Sequence, residues 1–459
     1  MSNTGLFEEF PEVSAKQWKQ KIQFDLKGAD YNDTLVWESL EGIAVKPFYH
    51  EEDLQNTEFH PTSEPRKWHI GQTIYAGDSA KANAKALNCL EKGVESLVFV
   101  IPNEQVDFKT LLHDIDLESV PLHFNFQCLA IEPIKILLEI LKGKNAKAYL
   151  NNDLVGHLSR DGNWFHNLEE DHAILKEIHG LATTHASVST FGVDIALYQN
   201  AGANSIQQLA YGLAHAHEYL NHFGTQNSFP IVFKVAMGSN YFFEIAKLRA
   251  LRWLWASLAS EYGIESDCHI TAIPTKRNKT LYDYNVNMLR TTSESMSAIL
   301  GGADTVCNLP YDAIYHKDNA FAERIARNQL LLLKEESYFE DVSAVANGAY
   351  FIESITEQLA KKALALFKQI EKSGGLLSAL KKGSIQQKIK ESAAKEQQLF
   401  DKGKIVLLGT NTYQNSQDRM KNDLELYSFV KTQPRKTLIE PIIEKRLAEA
   451  LEQKRLDDE

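Results

Sequence analysis

The chain has 459 residues, 44% hydrophobic and 24% charged, the make-up of a folded globular protein with room for one large barrel plus appendages or for two or three ordinary domains. Acidic residues outnumber basic ones by 61 to 49, giving a formal charge of -12, which argues against nucleic acid as a partner. No apolar run approaches the ~20 residues needed to cross a bilayer, and the N-terminus MSNTGLFEEFPEVS has neither the basic-then-apolar order of a secretory signal nor the basic character of a transit peptide; a cytoplasmic protein is expected.

Residues 1–65 carry little regular pattern but many large apolar groups, among them Trp18, Phe24, Tyr31 and Trp37, too aromatic for a disordered tail. A short helix is expected over Ser14–Leu26, capped by Ser14 and apolar at Trp18, Ile22 and Leu26. From Trp68 onward, strand-like runs (68–75, 96–101, 121–126, 146–151, 186–191, 230–236, 269–274, 305–309) alternate with helix-like ones (79–92, 107–116, 132–142, 166–182 within a longer insertion, 205–222, 241–262, 280–300, 319–338). Eight strand–helix repeats are the count of a (β/α)8 TIM barrel, whose functional end lies at the C-terminal ends of its strands. The expected organisation is therefore an arm over 1–65, a barrel over 66–345 and a helical extension over 346–459, with 438–458 read as a polar helix whose charged face is solvated and which carries a thin apolar stripe at Ile439, Ile442, Leu447 and Leu451.

The stretch from His185 to Phe223 changes from strand alternation to helix periodicity through the loop Leu197-Tyr198-Gln199-Asn200-Ala201-Gly202-Ala203. This loop resembles that of the methylmalonyl-CoA mutases, whose catalytic chains read Gly-Tyr-His-Met-Gln-Glu-Ala-Gly-Ala. The resemblance extends through Trp37–Tyr49, through Gly238–Ala250 (GSNYFFEIAKLRA), through Leu289–Asp312 and Ala322–Asn328, and through the Asn347-Gly348-Ala349-Tyr350 and Ser373-Gly374-Gly375 stretches, so that it covers roughly residues 35 to 415. It implies a barrel at the heart of a cobalamin-dependent acyl-CoA rearrangement, and an N-terminal arm that ties two chains together.

The same matching marks departures. An ungapped count places Leu197 where the family has the histidine that contacts the thioester carbonyl, and Gln199 at the family glutamine; an isobutyl group neither donates a hydrogen bond nor transfers a proton. In the first barrel strand, Gly71, Gln72 and Thr73 stand where catalytic chains have arginine, glutamine and tyrosine, while Tyr75-Ala76-Gly77 repeats the motif two residues late, nearly 7 Å along a strand unless a bulge intervenes. The family's cobalt-binding Asp-x-His-x-x-Gly has one partial echo, Asp267 and His269 with Ala272 in place of the glycine, and too few residues follow the barrel for a cobalamin domain. The resemblance thus implies a non-catalytic small subunit that binds no cofactor itself, adenosylcobalamin being carried by a catalytic large subunit. The vestigial substrate pocket would comprise Gly71, Gln72, Thr73, Leu197 and Gln199, and the partner interface Trp18, Phe24, Tyr31 and Trp37.

Two alternatives stand beside it: a substrate-binding half that borrows cobalamin from a short separate chain, and a stand-alone CoA-ester binder. Elsewhere the chain offers no phosphate loop and no H-E-x-x-H. Its four cysteines are widely spaced, as buried free thiols would be. His215 and His217, two apart on a helix, are read as solvated or capping, and Asn125, Ser187 and Ser189 as lining a narrow channel or bonding to nearby backbone.

Overall fold

In the computed structural model, which describes residues 11–54, 66–185, 187–224, 229–265, 267–341, 344–431 and 434–459, the strand-like runs close on one another. A small antiparallel ribbon, β1 (Trp37–Glu38) and β2 (Ala44–Val45), precedes them. The barrel strands are β3 (His69–Tyr75), β4 (Ser96–Ile101), β5 (Leu122–Phe126), β6 (Ala148–Asn152), β7 (Val188–Asp194), β8 (Ile231–Met237), β9 (Cys268–Pro274) and β10 (Thr305–Cys307). They are parallel and sequential, with β10 pairing back onto β3 to close a (β/α)8 barrel. Helices cover the outer face, so a strand such as β4, SLVFVI, is buried along nearly its whole length.

The expected helices are present, with ends set by local backbone chemistry. Ser205–Phe223 starts at a capping box made by Asn204 and Gln207 and buries Leu209, Leu213, Ala216 and Leu220. The helix expected over 107–116 is a single turn, Phe108–Leu111, and the one expected from Thr280 begins at Val286; Asp114 (φ 59°) and Asp283 (φ 46°) take left-handed backbone that an α-helix cannot contain. An unforeseen helix, Leu154–Asp161, fills the insertion after β6.

The arm and the C-terminal segment behave differently. Ser14 and Gln17 form a capping box on the helix Ala15–Asp25, none of whose residues is buried. Trp18 is 49%, Phe24 79% and Trp37 52% exposed, but Tyr31 is 5% exposed, lying under the Lys19 ammonium within the arm. Tyr31 therefore serves its own chain and offers no ring to a partner. Residues 1–10 and 55–65 of the expected arm lie outside the described residues. At the other end, Tyr350–Lys372 packs on Tyr241–Glu261 and Ser205–Phe223, followed by Gly375–Lys381 and Ser384–Asp401. The helix expected over 438–458 is reduced to Glu449–Asp457: Pro441 has no N–H to donate and disfavours helical backbone at Glu440, and the preceding stretch is extended. The apolar stripe residues Ile439, Ile442 and Leu447 are buried, and the charged face is solvated only in part, since Glu449 and Glu452 are buried while Lys454 and Asp457 are exposed.

Candidate functional site

A cavity of about 340 Å³ opens at the C-terminal ends of the barrel strands. Its wall is built from alternate strand residues that point inward: Thr73 and Tyr75 on β3, Val98 and Val100 on β4, His123 and Asn125 on β5, Asn151 on β6, Val232 and Lys234 on β8, Thr271 and Ile273 on β9, and Cys307 on β10. β7 approaches through Gly192, where an added Cβ would lie 2.9 Å from the Asn151 Cβ.

The residues expected to form a vestigial pocket divide into three groups. Gln72 and Thr73 line the cavity, as does Tyr75 at its mouth. β3 pairs with β4 in unbroken register from Gly71–Ser96 to Tyr75–Val100, so no bulge brings Tyr75 back to the position that Thr73 occupies. Gly71 lies deeper, beside Thr305 and Cys307; a Cβ there would be 2.5 Å from the Cys307 sulfur, so only glycine lets β10 close on β3. Leu197 and Gln199 are not part of the cavity wall. Both lie on the short helix Ala196–Asn200 after β7, Leu197 packed into the hydrophobic core and Gln199 accepting a bond from Lys247 Nζ at 2.9 Å. The ungapped count put them on the right loop, but the helical turn aims them inward.

Lys247 is the hub that holds this loop. Its buried ammonium meets Glu244 Oε2 at 2.5 Å, Gln208 Oε1 at 3.0 Å and the Ala236 carbonyl at 2.8 Å in addition to Gln199. Burial lowers its pKa against the opposing pull of Glu244. On the other side, Asp153 Oδ1 accepts from His215 Nε2 at 2.7 Å and Tyr219 OH at 2.8 Å, and the other His215 ring nitrogen is 3.2 Å from Tyr198 OH. Burial alone would raise the Asp153 carboxyl, but His215 and backbone N–H groups outweigh it and hold it down at about 2. His215 is thus fully buried and bonded, and His217 bridges Glu371 and Tyr262; neither is solvated. A histidine on a helix face is not legible as an anchor until the acid it meets, 62 residues away, is known.

Below the cavity the barrel is closed by rings. His123 stacks on Tyr149 at 4.4 Å between centroids, and Tyr149 meets His269 at 4.4 Å. Burial, helped by the neighbouring imidazoles, holds His123 well below its usual pKa; burial and the Arg252 cation bring His269 down to about 3. His269 Nε2 is engaged 3.0 Å from Thr305 Oγ1. An imidazole enclosed in the lumen cannot meet a corrin ring, so the Asp267–His269 echo does not fit a cobalt ligand. Within the cavity burial pushes the Cys307 thiol up to about 12 and Lys234 is tied to Asp194, while at the rim His316 Nδ1 lies 3.2 Å from Asp312 Oδ2. Of the small polar strand residues, Asn125 faces the cavity, whereas Ser189 donates to the Pro230 carbonyl and Ser187 to Asn145.

The C-terminal segment crosses the other side of this face. Leu438 and Ile439 donate their N–H groups to Gly162 O, Ile442 to Ser159 O, Lys445 to Asn200 O and Leu447 to Arg277 O, binding together the loops after β6, β7 and β9. Gly162 has φ 89°, and a Cβ there would stand 2.9 Å from Ile439 O, so this close crossing needs glycine.

Comparison with known proteins accords with this architecture. The methylmalonyl-CoA mutase family model matches residues 99–456. The chain is 35% identical over 448 residues to the methylmalonyl-CoA mutase small subunit of Porphyromonas gingivalis, covering 89% of this chain and 71% of that one. It is 28% identical to the small subunit of Streptomyces virginiae, with the same coverages of 89% and 71%. Against a methylmalonyl-CoA mutase of Cereibacter sphaeroides the identity is 30%, covering 86% of this chain and 64% of that one. Among the described residues, no helix is long and apolar enough to cross a membrane.

Proposed function

Because the chain belongs to the methylmalonyl-CoA mutase family, we propose that it is the non-catalytic small subunit of an adenosylcobalamin-dependent mutase that interconverts methylmalonyl-CoA and succinyl-CoA. It pairs with a catalytic large subunit that carries the cobalamin, and it contributes surface and stability. The observation that supports this reading most directly is the loop after β7, where an apolar Leu197 turned into the core replaces the group that would face a substrate. The lumen points the same way: His123, Tyr149 and His269 stack together within it, below the cavity, where an acyl-CoA arm would have to pass.

The partner's grip falls to the exposed rings of the arm, Trp18, Phe24 and Trp37, while Tyr31 is buried within the arm under Lys19. The test is co-purification with a tagged copy of this chain. A large chain with a cobalamin domain is expected to come down with it; a short cobalamin-only chain would instead favour a split enzyme, and none a stand-alone binder. Full burial of a Phe-sized ring contributes roughly 1.5–3 kcal/mol, so Trp18→Ala with Phe24→Ala is expected to weaken the pairing at least about a hundredfold while the melting curve is kept. A folded double variant that pairs normally removes the arm from the interface.

A further inference from the structure

The barrel mouth carries a chemistry that support of a partner does not require. Lys234 stands on β8 between the buried Phe233 and Val235, and its side chain, 37% exposed, enters the cavity. An ammonium in the middle of a parallel strand costs desolvation and rotamer freedom. Asp194 offsets only part of that: its Oδ2 lies 3.1 Å from Lys234 Nζ, but the same oxygen is held by Arg160 at 2.8 Å. One oxygen shared between two cations leaves Lys234 with two of its three N–H directions unspent on Asp194. Burial would raise the Asp194 carboxyl, yet the two cations outweigh it and keep it below the usual range, so it remains charged and the arrangement is fixed.

The acids at the rim are already occupied. Asp312 bonds His316 and Asn319, while Asp318 and Glu323 both meet Lys85. Lys276 and Lys317, also at the rim, make no ion pair among the described residues. Deeper in, Asn125 accepts a 2.8 Å bond from Asn151 through Oδ1, which leaves its own amide N–H groups to be donated elsewhere, and Thr271 Oγ1 has no hydrogen-bond partner among the described residues. Between these polar groups the wall is apolar, formed by Val98, Val100, Val232 and Ile273. The ring stack at His123 closes the lower end, so an occupant must be short and must enter from the mouth.

We propose that this cavity binds a small organic monoanion, a short-chain carboxylate. Its oxygens take the unspent N–H groups of Lys234, and its alkyl part packs on the valines and Ile273. On a chain of formal charge -12, a cavity whose rim acids each meet a partner, while Lys276 and Lys317 make no ion pair among the described residues and Lys234 has N–H groups to spare, selects anions by local charge rather than by overall attraction. The reading is independent of whether a large subunit binds the arm.

The test uses the isolated full chain, titrated at low salt with butyrate and with butyramide, which has the same shape without the charge. Saturation-transfer NMR and calorimetry report binding. Saturable butyrate binding, at least about tenfold tighter than that of butyramide, is expected, as is a loss of at least about tenfold in Lys234→Met. Thr73→Asp places a like charge at an exposed position of the wall without touching the Lys234–Asp194 pair, and it is expected to weaken butyrate similarly; it decides the matter alone if Lys234→Met does not fold. Absence of saturable butyrate binding, equal binding of the two probes, or wild-type affinity in a folded variant would each overturn the site.

Discussion

The two segments that lie outside the barrel are built on opposite principles. The C-terminal segment is sewn down: its backbone bonds three strand-end loops, and Arg446 and Glu452 form an ion pair at 2.6 Å whose side chains are almost wholly buried. The arm's helix Ala15–Asp25 has no buried residue, and Trp18, Phe24 and Trp37 are 49%, 79% and 52% exposed. A segment that spends its apolar and polar groups on its own barrel has little left for another chain, whereas the arm, which leaves much of its aromatic surface exposed, is the segment we propose for the partner. The largest test of this contrast is Glu452→Ala, which takes the carboxylate from the buried Arg446 guanidinium and the acceptor from the Leu281 N–H. Breaking one half of a buried pair costs about 3–5 kcal/mol, and replacing both, as in Glu452→Ala with Arg446→Met, is expected to recover much of it. Urea unfolding of the three proteins measures both; a single variant as stable as wild type would mean that the C-terminal segment is no more tightly held than the arm.

The barrel was legible because its signal is periodic and local. Strand runs such as 96–101 and the capping residues Ser14 and Asn204 carry their structure in neighbouring positions. The C-terminal segment was not, because what holds 438–447 extended is backbone bonding to residues 159–162, 200 and 277, which no window of sequence contains; Pro441 was the one local warning. The candidate site was half legible. Counting along the chain identified Leu197 as a residue without proton chemistry, but not that a helical turn buries it away from the cavity. Lys234 was visible as a single charge within IVFKVAM, yet alternation alone does not say whether such a residue faces the lumen or the outer helices. The stack of His123, Tyr149 and His269 depends on three strands meeting at one level of the barrel, a matter of register rather than of sequence.

The covered face also predicts how the protein answers acid. Asp153, which caps the helix Leu154–Asp161, has a folded pKa of about 2 against an ordinary 3.8. Since the folded state favours the ionised form, the stabilisation is present above the ordinary value and is lost as pH falls from about 4 towards about 2. Each tenfold change in a proton's affinity is worth about 1.4 kcal/mol, so about 2 kcal/mol of stability should disappear over that window. Asp153→Asn should be less stable at neutral pH and should lose the corresponding part of the acid slope. Parallel slopes for the two proteins, followed by circular dichroism melting, would place the acid response elsewhere.

The smallest effect is expected in the arm, and its smallness is the point. Phe24, 79% exposed, lies near the end of the helix Ala15–Asp25 and makes a loose contact with the Lys21 ammonium, 5.6 Å from its ring. Serine and phenylalanine have similar helix propensities, so Phe24→Ser removes almost nothing that the isolated chain uses, and its stability should change by less than about 0.5 kcal/mol. Ile439→Ala, at a buried position of the C-terminal segment, should by contrast cost about 2–5 kcal/mol. Measured side by side in urea, the two substitutions separate apolar surface that folds the chain from apolar surface held in reserve. If Phe24→Ser destabilised the isolated protein as much as Ile439→Ala, the ring would belong to the chain's own core and the arm would have nothing left to give a partner.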